Sequence, residues 1–299
     1  MLSILIPTYN HKCVELVFEL TRQIEALGID AEIVVADDGS TDMNVVAENS
    51  IIEDIDGCRY IVNVSNIGIA KTRNLLMRSA KYDSMLFLDS DVFPKNDDFL
   101  LQYLRHAQDA DVIVGGLDYR RGDKALSNPL RLRYGVAREV VSPERRALHP
   151  YDSFLSSNFM VNRKVADTLR FDETFDRYGH EDTLFGISLK LTGRSIAHID
   201  APVYHDDTDS SEQYLEKVRV SIQSLCMHRD ELVGCSRLLR TYERMDALHL
   251  TGTARRVFRH FKSQMEKNLL SQKPSLFLLN IYKVAYMSSV MKLYSASSK

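Results

Sequence analysis

With 299 residues, 44% of them hydrophobic and 26% charged, the chain is long enough to bury a large core and lies outside the composition of disordered or fibrous proteins. The net charge of −3 conceals an asymmetry, because residues 251–299 carry nine Lys and Arg against Glu266 alone, a local +8 that leaves −11 on the remainder. The cysteines Cys13, Cys58, Cys226 and Cys235 form no CxxC pair of the kind used for zinc or redox chemistry, so a reducing, cytoplasmic setting is expected.

The opening run Leu2–Ile6 is too short for the core of a signal peptide and has no basic residue before it, so it reads as a first strand. Val17, Leu20, Ile24 and Leu27 repeat at helical spacing before a second apolar run at 31–36, which makes a strand–helix–strand unit. The alternation continues with a strand at 59–63, a helix at 69–81, a strand at 84–88, a helix near 97–108 and a strand at 111–114. Such alternation predicts an α/β fold, a mostly parallel sheet covered by helices on both faces. Residues 117–150, basic and with little periodicity, read as a long functional loop. Strands at 159–162 and 194–199 then flank a helix at 182–192, and from about 212 onward the pattern is helical, with Leu215, Val218, Ile222 and Leu225 on one face.

In parallel sheets of this kind ligands sit at the carboxyl ends of the strands, so the residues that follow each strand are the ones to examine. Pro7-Thr8-Tyr9-Asn10 follows the first strand and Asp37-Asp38-Gly39-Ser40-Thr41-Asp42 the second. Carboxylates at 37 and 38 suit a nucleobase imide or ribose hydroxyl, though Asp-Gly with Ser and Thr is also ordinary turn chemistry. Asn66-Ile67-Gly68 opens the helix that carries Arg73, a place where backbone N–H groups and a guanidinium can meet phosphate; the alternative is a helix start with solvated Lys71 and Arg73. Asp89-Ser90-Asp91 ends an apolar strand, and its hard oxygen ligands suit Mg²⁺ or Mn²⁺ bridging to a diphosphate, or an acidic turn. Tyr178-Gly179-His180-Glu181-Asp182 leads into a helix, where neighbouring side chains diverge by about 100°, so Glu181 and Asp182 cannot both address one atom. His205, followed by Asp206 and Asp207, is a histidine among carboxylates in a loop and a candidate metal ligand.

Taken in order, Ile6-Pro7-Thr8-Tyr9-Asn10, Asp37 to Asp42, Asn66-x-Gly68-x-Ala70-x-x-Arg73-Asn74, Leu88-Asp89-Ser90-Asp91 and Glu181-Asp182 closely resemble family 2 glycosyltransferases of the GT-A fold, over about residues 1–206. The resemblance implies a domain at 1–211, with 1–116 binding a nucleotide-diphosphate sugar and 117–211 forming the acceptor and catalytic half, followed by a helical region at 212–299 with the basic tail. It further implies that Pro7, Thr8, Tyr9, Asn66 and either Asp37 or Asp38 line the nucleoside pocket, with Arg73 near the diphosphate and Ser90 within the donor site. Asp91 would hold Mn²⁺ or Mg²⁺, with Asp89 touching the ribose or the metal's water shell and His205 completing the shell; Asp182 would be the catalytic base, with Glu181 beside it. The segment around Ser156-Ser157-Asn158-Phe159 resembles the acceptor side.

The implied reaction is inverting transfer to an acceptor hydroxyl on a glycan or lipid-linked glycan. The absence of Trp, and so of the Gln-x-x-Arg-Trp motif of processive synthases, favours a non-processive enzyme. A nucleotidyltransferase of related fold is the alternative enzyme, but Pro7-Thr8-Tyr9-Asn10 stands where its Gly-rich basic segment belongs; an inactive nucleotide-sugar-binding module is the non-enzymatic one. Lys283 and Lys292 interrupt the apolar stretch 274–294, which therefore fits no spanning helix. The basic tail suits either peripheral attachment at an anionic membrane surface or a helical appendage that packs on the catalytic domain or a second subunit with its lysines solvated, and no nucleic-acid partner is expected.

Overall fold

Strand β1 (Leu2–Thr8) is buried along its whole length in the computed structural model, as expected of an apolar strand covered on both faces. The structure describes residues 1–120, 129–175, 179–205, 209–232 and 236–297. In chain order β1 is followed by α1 (Val14–Leu27), β2 (Ala31–Asp37), α2 (Met43–Asn49), a 3₁₀ turn at Ser50–Asp54, β3 (Cys58–Val62), α3 (Ile69–Ser79), β4 (Ser84–Leu88), β5 (Val92–Pro94), α4 (Phe99–His106), β6 (Val112–Val114) and β7 (Leu117–Asp118). Then come α5 (Pro129–Arg138), α6 (Pro143–Ala147), β8 (Asn158–Asn162), α7 (Arg163–Thr168), α8 (Glu181–Leu191), β9 (Ile196–His198) and β10 (Val203–His205). The helices α9 (Ser211–Met227), α10 (Arg237–Ala247), α11 (Thr251–Leu269) and α12 (Leu276–Ser297) complete the chain.

The main sheet has seven strands in the order β3-β2-β1-β4-β8-β6-β9, parallel except for β8, which runs antiparallel to β4 and β6. Its side chains alternate between two cores. Leu2, Ile4, Ile6, Ile33, Val35, Leu86 and Leu88 face one side, where Val17 and Leu20 of α1 and Phe99 and Tyr103 of α4 cover them. Leu5, Val34, Ala36, Met85 and Phe87 face the other, beneath Leu76 of α3 and Phe185 of α8. Stacked rings fill this second core, with Phe87 4.9 Å from Phe159 and Phe171 4.4 Å from Phe185. Thr8 lies opposite Asp37, and Asp37 opposite Val62, so neighbouring strands end level and their following loops share one edge. A small sheet of order β5-β10-β7 pairs His205 with Val92 in antiparallel register.

The chain divides into two compact units, the first of Met1–Tyr119, Glu139–Asp176 and Glu181–Asp207, the second of Arg120–Arg138, Arg177–His180 and Thr208–Lys299. The acceptor-half segment therefore contributes α5 to the unit of C-terminal helices. The expectation of one long loop at 117–150 is corrected, since β7, α5 and α6 lie within it and only 121–128 fall outside the described residues. The sequence hides these elements because α5 carries Gly135 among alternating Arg and Leu, and α6 is a single short turn begun by Pro143. In the second unit Leu215, Val218, Ile222 and Leu225 are buried, as their spacing predicts, and Ser210 with Gln213 forms a capping box at the start of α9. Among the described residues no helix is long and apolar enough to cross a membrane.

Candidate active site

The loops after β1 and β2 are stitched together by Asn10, which adopts a left-handed φ of 50°. Its N–H donates to Ser40 Oγ at 2.7 Å, and its Oδ1 accepts from the N–H groups of Thr41 (2.8 Å) and Asp42 (3.0 Å). Pro7 and Thr8 are buried beneath this junction, Thr8 Oγ1 donating to the His11 carbonyl at 3.0 Å, whereas Tyr9 is 45% exposed. At the end of β1, Tyr9 and Asn10 are therefore the exposed residues, and Asn10 is engaged in joining the two loops.

Asp37 is fully buried, with Oδ1 accepting from Ser40 N–H at 2.7 Å and Oδ2 from the Tyr60 hydroxyl at 2.5 Å. Asp38 accepts from Asn63 Nδ2 at 3.1 Å and from the N–H groups of Ile67 and Gly68 at 2.9 Å each, which places its charge at the amino end of α3. Both carboxylates thus fix the loops after β2 and β3 in place. Gly39 between them has a φ of +72°, and a Cβ there would stand 2.4 Å from the Ser65 carbonyl carbon, so only glycine lets the two loops approach this closely. Asn66 follows on the exposed lip of the same loop.

Arg73 departs most from expectation. It is 3% exposed, its Nη2 2.8 Å from Asp89 Oδ1 and its Nη1 3.1 Å from Glu181 Oε1, with the guanidinium carbon 5.2 Å from the centre of the Phe171 ring. The side chain therefore ties the acid after β4 to the acid that opens α8, and neither the solvated nor the simple phosphate-facing reading describes it. The next residue, Asn74, exchanges hydrogen bonds with the Phe171 backbone and donates to Glu173 Oε1.

Asp89 N–H donates to the Ser157 carbonyl at 3.1 Å, extending the β4–β8 ladder by one residue, and Ser90 and Asp91 follow as partly exposed positions. The β5–β10 pairing carries His205 to Asp91, with Nε2 3.6 Å from Oδ2. The His205 ring stacks on Tyr119 at 5.8 Å, whose hydroxyl bonds Glu139, and His205 Nδ1 is buried with no hydrogen-bond partner among the described residues. Of the expected metal ligands, Asp91 and His205 meet, whereas Asp89 is turned to Arg73. Among the described residues no three His, Cys, Asp or Glu side chains are grouped so as to hold a metal ion by themselves. Tyr178, Asp206 and Asp207 lie outside the described residues.

Glu181 is 9% exposed, and its Oε2 is buried without a partner. Asp182 accepts through Oδ1 from Thr183 N–H at 2.6 Å and from Thr183 Oγ1 at 3.2 Å. Burial pushes the carboxyls of Asp89, Glu181 and Asp182 above the usual carboxylate range. Arg73 opposes the rise at all three, while Asp91 reinforces it at Asp89, and Asp182 at Glu181. Arg73 thus holds two of these carboxyls directly and acts on the third, Asp182, through its field.

Asn158 and Phe159, expected on the acceptor side, belong to the core. Asn158 is 1% exposed and donates to the carbonyls of Gly116 (2.9 Å) and Ala201 (2.8 Å), and Phe159 is fully buried. Sequence reasoning missed Tyr60, Tyr119, Glu139 and Thr183. Tyr60 had a weak signal, lying inward on the strand next to β2, but the others owe their roles to contacts no local pattern reveals.

The Glycosyl transferase family 2 model matches residues 3–176, more than half of the chain. Over 274 residues the chain is 24% identical to the uncharacterized glycosyltransferase YfnE of Bacillus subtilis (strain 168), covering 75% of this chain and 69% of that protein. It is 24% identical over 252 residues to the chondroitin synthase of Pasteurella multocida (strain Pm70), covering 72% of this chain but 26% of the synthase. Among solved structures, the mannosyltransferase PcManGT from Pyrobaculum calidifontis, in complex with GDP-Man and Mn²⁺, superposes with a TM-score of 0.56 at 13% identity, covering 100% of this chain and 87% of that one, a likeness of fold. The matched segment holds the loop junction, Arg73 and the Asp89–Asp91 turn, and the chain belongs to glycosyl transferase family 2, which makes it a glycosyltransferase.

Proposed function

We propose that the enzyme transfers a single sugar, with inversion, from a nucleotide-diphosphate sugar to a hydroxyl of a glycan or lipid-linked glycan. The observation that carries this reading is the convergence on Arg73 of an acid from the carboxyl end of β4 and an acid from the start of α8. The first belongs to the turn that ends at Asp91 beside His205, the second stands next to Asp182. One side of the site therefore suits a diphosphate leaving group and the other an acceptor hydroxyl. The solved mannosyltransferase of similar fold, which holds GDP-Man and Mn²⁺, supports the donor class.

In the proposed step the acceptor oxygen forms a bond to the anomeric carbon as the bond from that carbon to the diphosphate oxygen breaks, its electron pair leaving with the diphosphate. Asp182 takes the hydroxyl proton through Oδ2 while Thr183 holds Oδ1. Glu181, fixed by Arg73, is a positioning residue, because its Oε1 is engaged and its Oε2 is buried. The donor set of Asp91 and His205 fits Mn²⁺ or Mg²⁺ that takes its other ligands from diphosphate and water, and such an ion would supply charge neutralisation for the leaving group.

Steady-state kinetics of Asp182→Asn with a panel of nucleotide sugars tests the assignment. Removal of a general base lowers kcat by about 10²–10⁴-fold while donor affinity is nearly unchanged. A mild Asp182→Asn together with a crippling Glu181→Gln would reverse the two roles.

A further inference from the structure

We propose that the outward face of α11 is a docking surface for an anionic phospholipid membrane. The helix packs through Phe258, Met265 and Leu269, all buried, with Phe258 meeting the rings of Tyr282 and Tyr286 of α12 at 5.3 and 5.8 Å. Its only acid, Glu266, is turned toward the same side, where it accepts from Tyr282 Oη at 2.8 Å and pairs with Arg219 of α9. What remains outward is positive and partly apolar.

Val257 and Phe261, 37% and 48% exposed, stand one helical turn apart, and the exposed Arg256, His260 and Lys267 lie on the side of the helix next to them, whereas Arg259 and Lys262 point to the far flank. Lys262 lies 3.8 Å from Glu266 on that far flank, so Arg256 and Lys267 carry the positive charge beside the two apolar side chains. Basic residues alone would serve any polyanion. An exposed aliphatic and an exposed phenylalanine on the same stretch add the apolar insertion that only a lipid surface rewards, and two such signals together are what reversible peripheral attachment requires. Because no described helix is long and apolar enough to cross a bilayer, the helix is expected to lie on the surface.

The test is co-sedimentation of the full chain with phosphatidylcholine vesicles with and without phosphatidylglycerol, at low and high salt. The protein should pellet with phosphatidylglycerol vesicles only and be released by salt. R256E/K267E should weaken that binding by at least about tenfold. V257S/F261S should also weaken it while leaving retention on a heparin column unchanged, and both variants should keep the wild-type melting temperature and transfer rate on a soluble acceptor. Vesicle binding indifferent to lipid charge would overturn the proposal, a result that needs no variant. So would full vesicle binding by V257S/F261S, which would make the face a general polyanion site.

Discussion

Replacing Arg73 with Met removes the cation that faces both Asp89 and Glu181 and leaves the buried Glu181 and the partly buried Asp89 without that counter-charge. Breaking a buried ion pair in this way typically costs about 3–5 kcal/mol. For a unit of this size each kcal/mol shifts the melting temperature by about 2–4 °C, so R73M should melt roughly 6–20 °C below wild type at pH 8. The pH dependence has a definite sign. Asp89 and Glu181 already titrate above their unfolded values, so between the unfolded and folded pKa the native state binds more protons and stability falls as pH rises. Without Arg73 both carboxyls rise further, each added pKa unit costing about 1.4 kcal/mol above the new value and nothing once the group is protonated. The difference between R73M and wild type should therefore shrink at pH 5, and R73M/E181Q should recover part of the loss at pH 8. Thermal unfolding by circular dichroism at the two pH values reads all of this. A penalty under about 1 kcal/mol, or one equal at both pH values, would refute the account of Arg73 as the clamp between the two acids.

Two further variants probe the nucleoside side of the site. Tyr60→Phe removes the donor to Asp37 Oδ2 and should cost about 1–3 kcal/mol in urea unfolding; a neutral outcome would mean Asp37 finds another donor. Gly39→Ala meets the Ser65 backbone at 2.4 Å, whereas Gly28→Ala, with a φ of +59°, meets nothing within 4 Å. G28A should thus cost only the left-handed penalty of about 1–2 kcal/mol and G39A clearly more, with equal costs speaking against close approach of the two loops.

The alternation of short apolar runs and amphipathic stretches made the main sheet legible, because β1, β2 and β4 are buried on both faces and are mostly apolar, with a few hydrogen-bonded exceptions such as Ser3 and Glu32. The antiparallel insertion of β8 was not legible, since pairing direction depends on where the chain returns rather than on local pattern. Arg73 is instructive. It shares the buried face of α3 with Ala70, Asn74 and Met77, a spacing that the phosphate-facing and solvated readings both left unused, and a buried arginine needs acids close by. Which acids answered it, Asp89 sixteen residues on and Glu181 more than a hundred, was a property of the fold. Likewise Asp37 and Asp38 stood out by their position at the end of β2, but their hydrogen bonds to Tyr60, Asn63, Ile67 and Gly68 depend on segments that meet only in three dimensions.

The most direct test of the proposed chemistry is a thermal-shift titration of UDP and GDP, each with Mn²⁺ and with EDTA, on wild type and Asp91→Asn. A ligand that binds only the native state adds about 2.7 kcal/mol at a hundred times its Kd, enough to move the melting temperature by several degrees. The account predicts that one of the two nucleotides stabilises wild type in Mn²⁺ but not in EDTA, and that D91N loses this shift while its own melting temperature stays close to wild type. Stabilisation of equal size in EDTA, or a full Mn²⁺-dependent shift in D91N, would contradict it.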